Sequence, residues 1–116
     1  MKADPITMTL LFDEYGALLT EKQRDCCDLY LNEDLSLSEI AGELGISRQG
    51  VHDSLTRAEA TLAQFESVLG NVARRRRTRA AADEIGRCIQ ALAGSDQAPA
   101  RAVSEKLAAA LQQILE

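Results

Sequence analysis

The fold of this chain is decided by residues 35–51, which read LSLSEIAGELGISRQGV. Ser36 followed three residues later by Glu39 forms a capping-box pattern, which predicts the start of a short helix. Gly45 supplies the positive φ at which that helix can end and the chain can turn. Ser47 is then placed to cap a second helix. Two helices joined by such a glycine turn predict a helix-turn-helix, the geometry that places a second helix in a DNA groove.

The apolar residues around this segment recur at helical spacing. One set lines the helix before the turn, and another lines the helix after it. The two sets are Leu37, Ile40, Ala41 and Leu44, then Val51, Leu55, Ala58 and Leu62. The pattern predicts that Ile40 and Leu55 meet in a core between the two helices.

Six helices are predicted along the whole chain, which makes it an all-α protein. We place them at about residues 7–19, 20–32, 37–44, 48–68, 73–93 and 99–115. Thr20 and Gln23 form a second capping box, and Gly70 with Asn71 ends the fourth helix. Residues 1–70 are predicted to be a helix-turn-helix domain, and residues 73–116 a C-terminal helical hairpin.

The two helices of the hairpin are rich in alanine, and each carries an apolar stripe. The stripes consist of Ile85, Cys88, Ile89 and Leu92 in the first helix and Val103, Leu107, Leu111 and Ile114 in the second. These helices cannot bury their stripes alone and must pack on each other, on the first domain or on a second chain. We therefore predict that the hairpin mediates oligomerisation and that the protein is a homodimer.

The composition argues against several classes of protein. No run approaches the ~18 apolar residues that span a membrane, and Asp4 and Pro5 stand where a signal peptide would be basic and then apolar. Three cysteines without a Cys-x-x-Cys pair, and His52 as the only histidine, predict no metal site, no cofactor and a reduced cytoplasmic location. The acidic residues lack a histidine partner or a phosphate loop, so no enzyme activity is predicted.

Charge is distributed unevenly between the two halves of the chain. Residues 1–72 carry thirteen acidic and five basic side chains, a net charge of −8. Residues 73–116 carry eight basic and five acidic side chains, a net charge of +3. Duplex DNA binding is driven largely by neutralising phosphates, so the total charge of the helix-turn-helix half opposes it, although a local basic face can coexist with a negative total.

Two sets of residues are candidates for binding nucleic acid. Near the start of the recognition helix, arginine and glutamine can pair with guanine and adenine edges, and the helix N-terminus can bind a phosphate. A run of arginines can grip a nucleic-acid backbone, RNA included. The candidates are Ser47, Arg48, Gln49, His52 and Thr56 in the first set and Arg74, Arg75, Arg76, Arg77 and Arg79 in the second. The alternatives are solvated helix surfaces for both sets, or arginines that pair with the acidic first domain.

Two resemblances to known families also indicate a helix-turn-helix protein. Residues 34–57 resemble region 4 of bacterial sigma factors, and nearly the whole chain resembles the YlxM family. The second resemblance is carried by residues 11–24 (LFDEYGALLTEKQR), 34–41 (DLSLSEIA) and 46–49 (ISRQ). It implies a cytoplasmic, all-helical bacterial protein whose gene commonly lies beside those of the signal recognition particle and its receptor.

These observations lead to two hypotheses. The first is a non-enzymatic helix-turn-helix regulator or accessory factor of the signal recognition particle pathway, with DNA or the particle's RNA, and the particle's protein, as partners. The alternative is a protein-interaction adaptor whose helix-turn-helix is only a scaffold and binds no nucleic acid. The acidic first half favours the adaptor, whereas the Ser-Arg-Gln helix start and the arginine run favour nucleic acid.

Overall fold

The computed structural model describes residues 3–115 of the chain. These residues form six α-helices and one short 3-10 helix, which confirms the predicted all-α class. The α-helices are α1 (Pro5–Tyr15), α2 (Glu21–Leu31), α3 (Leu37–Leu44), α4 (Arg48–Leu69), α5 (Asn71–Ala93) and α6 (Ala98–Leu115). The chain divides into two compact units, with the boundary after Val72.

The first helix begins earlier than the sequence pattern indicated. It starts at Pro5 rather than near Thr7. The reason is the preceding Asp4, whose carboxylate accepts a hydrogen bond from the Thr7 backbone N–H at 2.9 Å. A carboxylate cap followed by proline at the first helical position is a favourable helix start, and the apolar periodicity alone did not reveal it.

The first helix also ends earlier than predicted. It stops at Tyr15, and the chain continues as the 3-10 helix Gly16–Leu18 instead of as α-helix to Leu19. Leu19 is extended because it leads directly into the cap of α2. As a result Leu18 is 58% exposed, whereas Met8 is fully buried.

The start and stop signals of the helix-turn-helix are confirmed in α3 and α4. The Ser36 hydroxyl accepts the Glu39 N–H at 3.1 Å, and the Glu39 carboxylate accepts the Ser36 N–H at 3.2 Å. Gly45 adopts a φ of 67°, which ends α3 in the left-handed region. The Ser47 hydroxyl then accepts the Gly50 N–H at 2.9 Å, and α4 begins.

The core of the first unit lies where α4 packs against α1, α2 and α3. Both residues predicted to meet there are buried, Ile40 at 0% and Leu55 at 2% exposure. The full set of buried apolar residues is Met8, Leu11, Tyr15, Leu19, Cys26, Cys27, Ile40, Val51, Leu55, Ala58, Leu62 and Val72. Because one face of α4 is buried in this core, its opposite face is left to solvent.

A polar cluster at the end of the first unit binds the first two residues of α5. The Tyr15 hydroxyl donates to Glu66 Oε1 at 2.6 Å, and the same carboxylate oxygen accepts the Val72 N–H at 3.0 Å. The Tyr15 hydroxyl oxygen accepts the Asn71 N–H at 3.1 Å. Two N–H groups of the first turn of α5 are satisfied in this way. The helix therefore begins at Asn71 rather than at residue 73, and α4 extends to Leu69 rather than to residue 68.

The second unit contains α5 from Ala73 onward and α6, which residues 94–97 connect into a helical hairpin. Gly86 of α5 lies opposite Leu111 of α6, since a Cβ added at Gly86 would be 3.9 Å from Leu111 Cδ2. The small residues Ala82 and Ser104 are buried, together with Ile89. None of the six described helices combines the length and the apolarity that crossing a membrane requires.

Most of the apolar stripe predicted for the hairpin is exposed. Only Ile89 among the predicted residues is buried, and Leu111 is half-buried. The exposed members are Ile85, Cys88, Leu92, Val103, Leu107 and Ile114. Small side chains take inner positions instead, so a large apolar surface is left on this unit.

The burial of the α4 stripe predicts the effect of truncating it. Leu55→Ala should lower the free energy of unfolding by about 2–5 kcal/mol, because it removes buried methyl groups and leaves a cavity. Gln64→Ala, at an exposed position of the same helix, should change it by less than about 0.5 kcal/mol. Urea unfolding of both variants measures the difference. Equal effects of the two substitutions would show that the stripe is not buried.

The environment of the Tyr15 hydroxyl predicts that the free energy of unfolding decreases at alkaline pH. Burial and the hydrogen bond to Glu66 raise the pKa of Tyr15 above its ordinary value of 10.0. The unfolded chain therefore releases this proton first as the pH rises through about 10, and the stability contributed by the neutral hydroxyl is lost above that pH.

The control for this effect is Tyr15→Phe, which keeps the ring and removes the ionisable group. Urea unfolding between pH 8 and pH 11 should show a steeper loss of unfolding free energy in the parent than in the variant. Parallel curves would contradict a raised pKa for this residue.

Candidate nucleic-acid interface

The N-terminus of α4 is built by Ser47. Its hydroxyl oxygen is used as the helix cap, since it accepts the Gly50 N–H. The hydroxyl hydrogen is still available to donate, because a serine hydroxyl both donates and accepts. Ser47 and Arg48 are exposed, so the positive end of the helix dipole and one arginine face solvent together.

The remaining predicted residues of this set share one face of α4. A helix turns about 100° per residue, so Gln49, Asp53 and Thr56 lie opposite the buried stripe, with His52 beside them. All four side chains are exposed. The structure thus places the predicted residues Gln49, His52 and Thr56 on a single solvent-facing surface, which we call the α4 outer face and define as residues 48, 49, 52, 53 and 56.

The centre of the α4 outer face is a carboxylate that binds two of its neighbours. Gln49 Nε2 donates to Asp53 Oδ1 at 2.9 Å, and His52 Nδ1 lies 3.5 Å from the same oxygen. Asp53 was not among the predicted site residues, although the four-residue spacing of Gln49 and Asp53 is one at which helical side chains meet. Gln49, a candidate base-contacting side chain, is therefore already hydrogen-bonded to an acid, and His52 lies beside that acid.

Residues 48–59 of α4 carry no net charge. Arg48 and Arg57 are offset by Asp53 and Glu59, and Glu59 itself accepts the Ala3 N–H at 2.8 Å. This balance adds no positive charge to a unit whose sequence is strongly acidic. Electrostatic attraction to a phosphate backbone must come from elsewhere in the chain.

The second predicted set lies in the N-terminal third of α5. Its five arginines are all exposed, and Arg79 forms an ion pair with Asp83, with Nε and Oδ1 3.4 Å apart. At about 100° per residue they surround the helix instead of forming one stripe. We call this set the arginine tract. Its members divide into one side with Arg75, Arg76 and Arg79 and another side with Arg74 and Arg77.

The rest of the described chain shows no metal-binding arrangement. Within residues 3–115, no three His, Cys, Asp or Glu side chains are grouped so that they can hold a metal ion. Cys26 and Cys27 are buried in the core, and burial, with the neighbouring thiol as a lesser cause, raises the pKa of Cys27 to about 12. A thiol held protonated in this way is a poor nucleophile and a poor metal ligand.

The fold and the α4 outer face define a helix-turn-helix protein. A family profile described as "Putative helix-turn-helix protein, YlxM / p13 like" matches residues 3–98. This chain belongs to that family, also called UPF0122, which confirms the resemblance drawn from the sequence.

Several bacterial relatives carry the same family name. The UPF0122 protein of Thermoanaerobacter sp. (strain X514) is 46% identical over 99 residues, which cover 85% of each chain. That of Desulforamulus reducens is 42% identical over 109 residues, 94% of this chain and 91% of the relative. That of Latilactobacillus sakei is 40% identical over 100 residues, 86% of this chain and 88% of the relative.

Proposed function

We propose that this protein is a regulatory or accessory factor that contacts nucleic acid, with the arginine tract supplying most of the affinity. The observation that carries the proposal is the position of the charge. Five exposed arginines stand within six residues of α5, whereas the α4 outer face has a carboxylate at its centre. Each phosphate neutralised by an arginine releases counterions, and this gain is independent of sequence.

The α4 outer face has a different role in this proposal. Its exposed position at the start of a recognition helix suits contacts to base edges, which set preference rather than total affinity. Affinity and preference are then carried by different helices. The link to the signal recognition particle rests on the family resemblance, and the particle's RNA and its protein are the partners that it suggests beside DNA.

The charge of the first unit favours a second candidate function. A net charge of −8 over residues 1–72 repels a phosphate backbone and suits a basic protein surface. In that case the protein is an adaptor whose helix-turn-helix serves as a scaffold. The two functions differ in what the parent protein binds, and one set of assays separates them.

Variants of the arginine tract test the proposed function. Changing all five arginines to alanine should weaken binding to every nucleic acid tested and should flatten the salt dependence by about 0.9 in log–log slope per lost duplex contact. The triple variant at Arg75, Arg76 and Arg79 should lose more affinity than the double variant at Arg74 and Arg77, because its three charges share one side of α5. Fluorescence anisotropy at several salt concentrations measures both effects.

The controls keep the number of lost charges equal. Arg87→Ala with Arg101→Ala removes two exposed arginines outside the tract and should weaken binding less than the double variant at Arg74 and Arg77. The probes are a duplex DNA, the particle's RNA and the particle's protein. Unchanged binding after loss of the whole tract would refute its role, and binding to the protein alone would establish the adaptor.

We further propose that the exposed face of the hairpin binds a second copy of the chain. In an antiparallel pair of helices, the exposed apolar positions of α5 (Ile85 and Leu92) and of α6 (Val103, Leu107 and Ile114) fall on the same side, next to the contact between the helices. Residues 107–115 read LAAALQQIL and carry no charge. A two-fold dimer brings this neutral surface against an identical one without repulsion between like charges.

The size of this surface is of the order that each partner buries in a stable dimer. A helix of 18 residues such as α6 is about 27 Å long, and two helices side by side are roughly 20 Å across. The flat area of about 540 Å² is of the same order as the ~800 Å² of accessible surface that each partner buries in a standard interface.

Substitutions on α6 test the proposed dimer. The parent should sediment as a dimer at about 10 μM, where a micromolar affinity is visible. Leu107→Lys should convert it to a monomer, because it places a charge in the apolar face. Gln112→Lys adds the same charge on another side of the same helix and should leave the dimer intact. A parent that is monomeric at this concentration would contradict the proposal.

A further inference from the structure

Asp53 lies in the second turn of α4, within the N-terminal part of the helix from which a helix-turn-helix contacts bases. It lies opposite the buried stripe of Val51, Leu55, Ala58 and Leu62, and its side chain is 55% exposed. Along the helix axis, Gln49 lies about one turn before Asp53 and Thr56 about one turn after it. A recognition helix that turns its buried stripe away from the DNA therefore directs this carboxylate into the groove.

The two contacts of Asp53 fix how its carboxylate is presented. Gln49 Nε2 donates to Oδ1, and His52 Nδ1 approaches the same oxygen. Neither contact uses Oδ2, which is left to accept a hydrogen bond from outside the helix. The bond also orients the Gln49 amide, with its nitrogen toward Asp53 and its oxygen turned away. The centre of the face thus presents hydrogen-bond acceptors.

A surface of acceptors requires donors on the nucleic acid. In the major groove of DNA, guanine offers acceptors at N7 and O6 and thymine offers O4, whereas the exocyclic amino groups of cytosine and adenine donate. An aspartate pairs with the N4 amino group of cytosine. It is repelled by the acceptors of guanine and thymine, and also by the N7 acceptor that lies beside the amino group of adenine. The major groove of A-form RNA is too deep and narrow to admit such a helix. Duplex DNA is therefore the ligand with which this arrangement is compatible.

We infer that Asp53 is a specificity-determining residue that selects cytosine at one position of a duplex DNA site, with Gln49 holding its carboxylate in place. This inference rests on the proposed nucleic-acid function and adds to it the base that is selected. It also explains how an acid can stand at the centre of a recognition face. The carboxylate lowers affinity for DNA in general, and the lost affinity is recovered only where an amino group meets it.

The experiment is a selection from a pool of duplexes with a randomised central segment, using the full-length protein. The parent should enrich duplexes with cytosine at one position, with a preference of about tenfold or more over guanine, thymine and adenine there. Asp53→Asn keeps the size of the side chain but adds a donor, so the preference at that position should fall below about twofold. Circular dichroism of the variant checks that this exposed change leaves the fold intact.

A control separates base selection from simple charge repulsion. Glu43→Gln removes one negative charge from an exposed position of α3 and should leave the cytosine preference unchanged. If Asp53→Asn only tightens binding to all duplexes, as Glu43→Gln does, the carboxylate merely repels phosphate and the inference is overturned. If the parent retains no duplex, the proposed DNA contact itself fails and the inference falls with it. If the parent selects a sequence and Asp53→Asn selects the same one, the inference alone is overturned.

Discussion

One face of α4 is buried against α1, α2 and α3, and the first unit is built around that contact. The chain has no tryptophan and only two phenylalanines, so aliphatic side chains must supply most of the apolar burial. A buried valine or leucine contributes about 1.5–3 kcal/mol, and the α4 stripe alone supplies three of them. Because α4 is held along its inner side by three helices, the side chains on its outer side keep a fixed orientation to solvent.

The burial of one face of α4 also limits which helix can attract phosphate. The inner side of α4 is committed to the core, and the outer side has Asp53 at its centre, so this helix has little capacity for attracting phosphate. The arginine tract lies on α5, in a helix whose start is stabilised by the Glu66 carboxylate rather than by its own first residues. Arginines near a helix N-terminus oppose the helix dipole, and a carboxylate at that end offsets the cost.

The features that the sequence predicted well are those that depend on residues three or four positions apart. The capping boxes, the left-handed glycine and the α4 stripe are of this kind. The pair of Gln49 and Asp53 has the same spacing and was within reach of such reasoning. The bond from Tyr15 to Glu66 was not, because no local pattern joins residues 51 positions apart. The burial of Ser104 could not be predicted from the sequence either, because it depends on how two helices pack together rather than on the apolarity of either helix.

Two hydrogen bonds tie α1 and the residue Ala3 before it to the far end of the first unit. Tyr15 donates to Glu66, and the Ala3 N–H donates to Glu59, 56 residues away. During synthesis the first helix emerges from the ribosome before these partners emerge. At about 5–20 residues per second, the 51 residues between Tyr15 and Glu66 take roughly 3–10 s to add. For that interval Met8 and Leu11 cannot pack against α4, because α4 has not yet emerged. The nascent chain therefore exposes these apolar side chains at the ribosome surface.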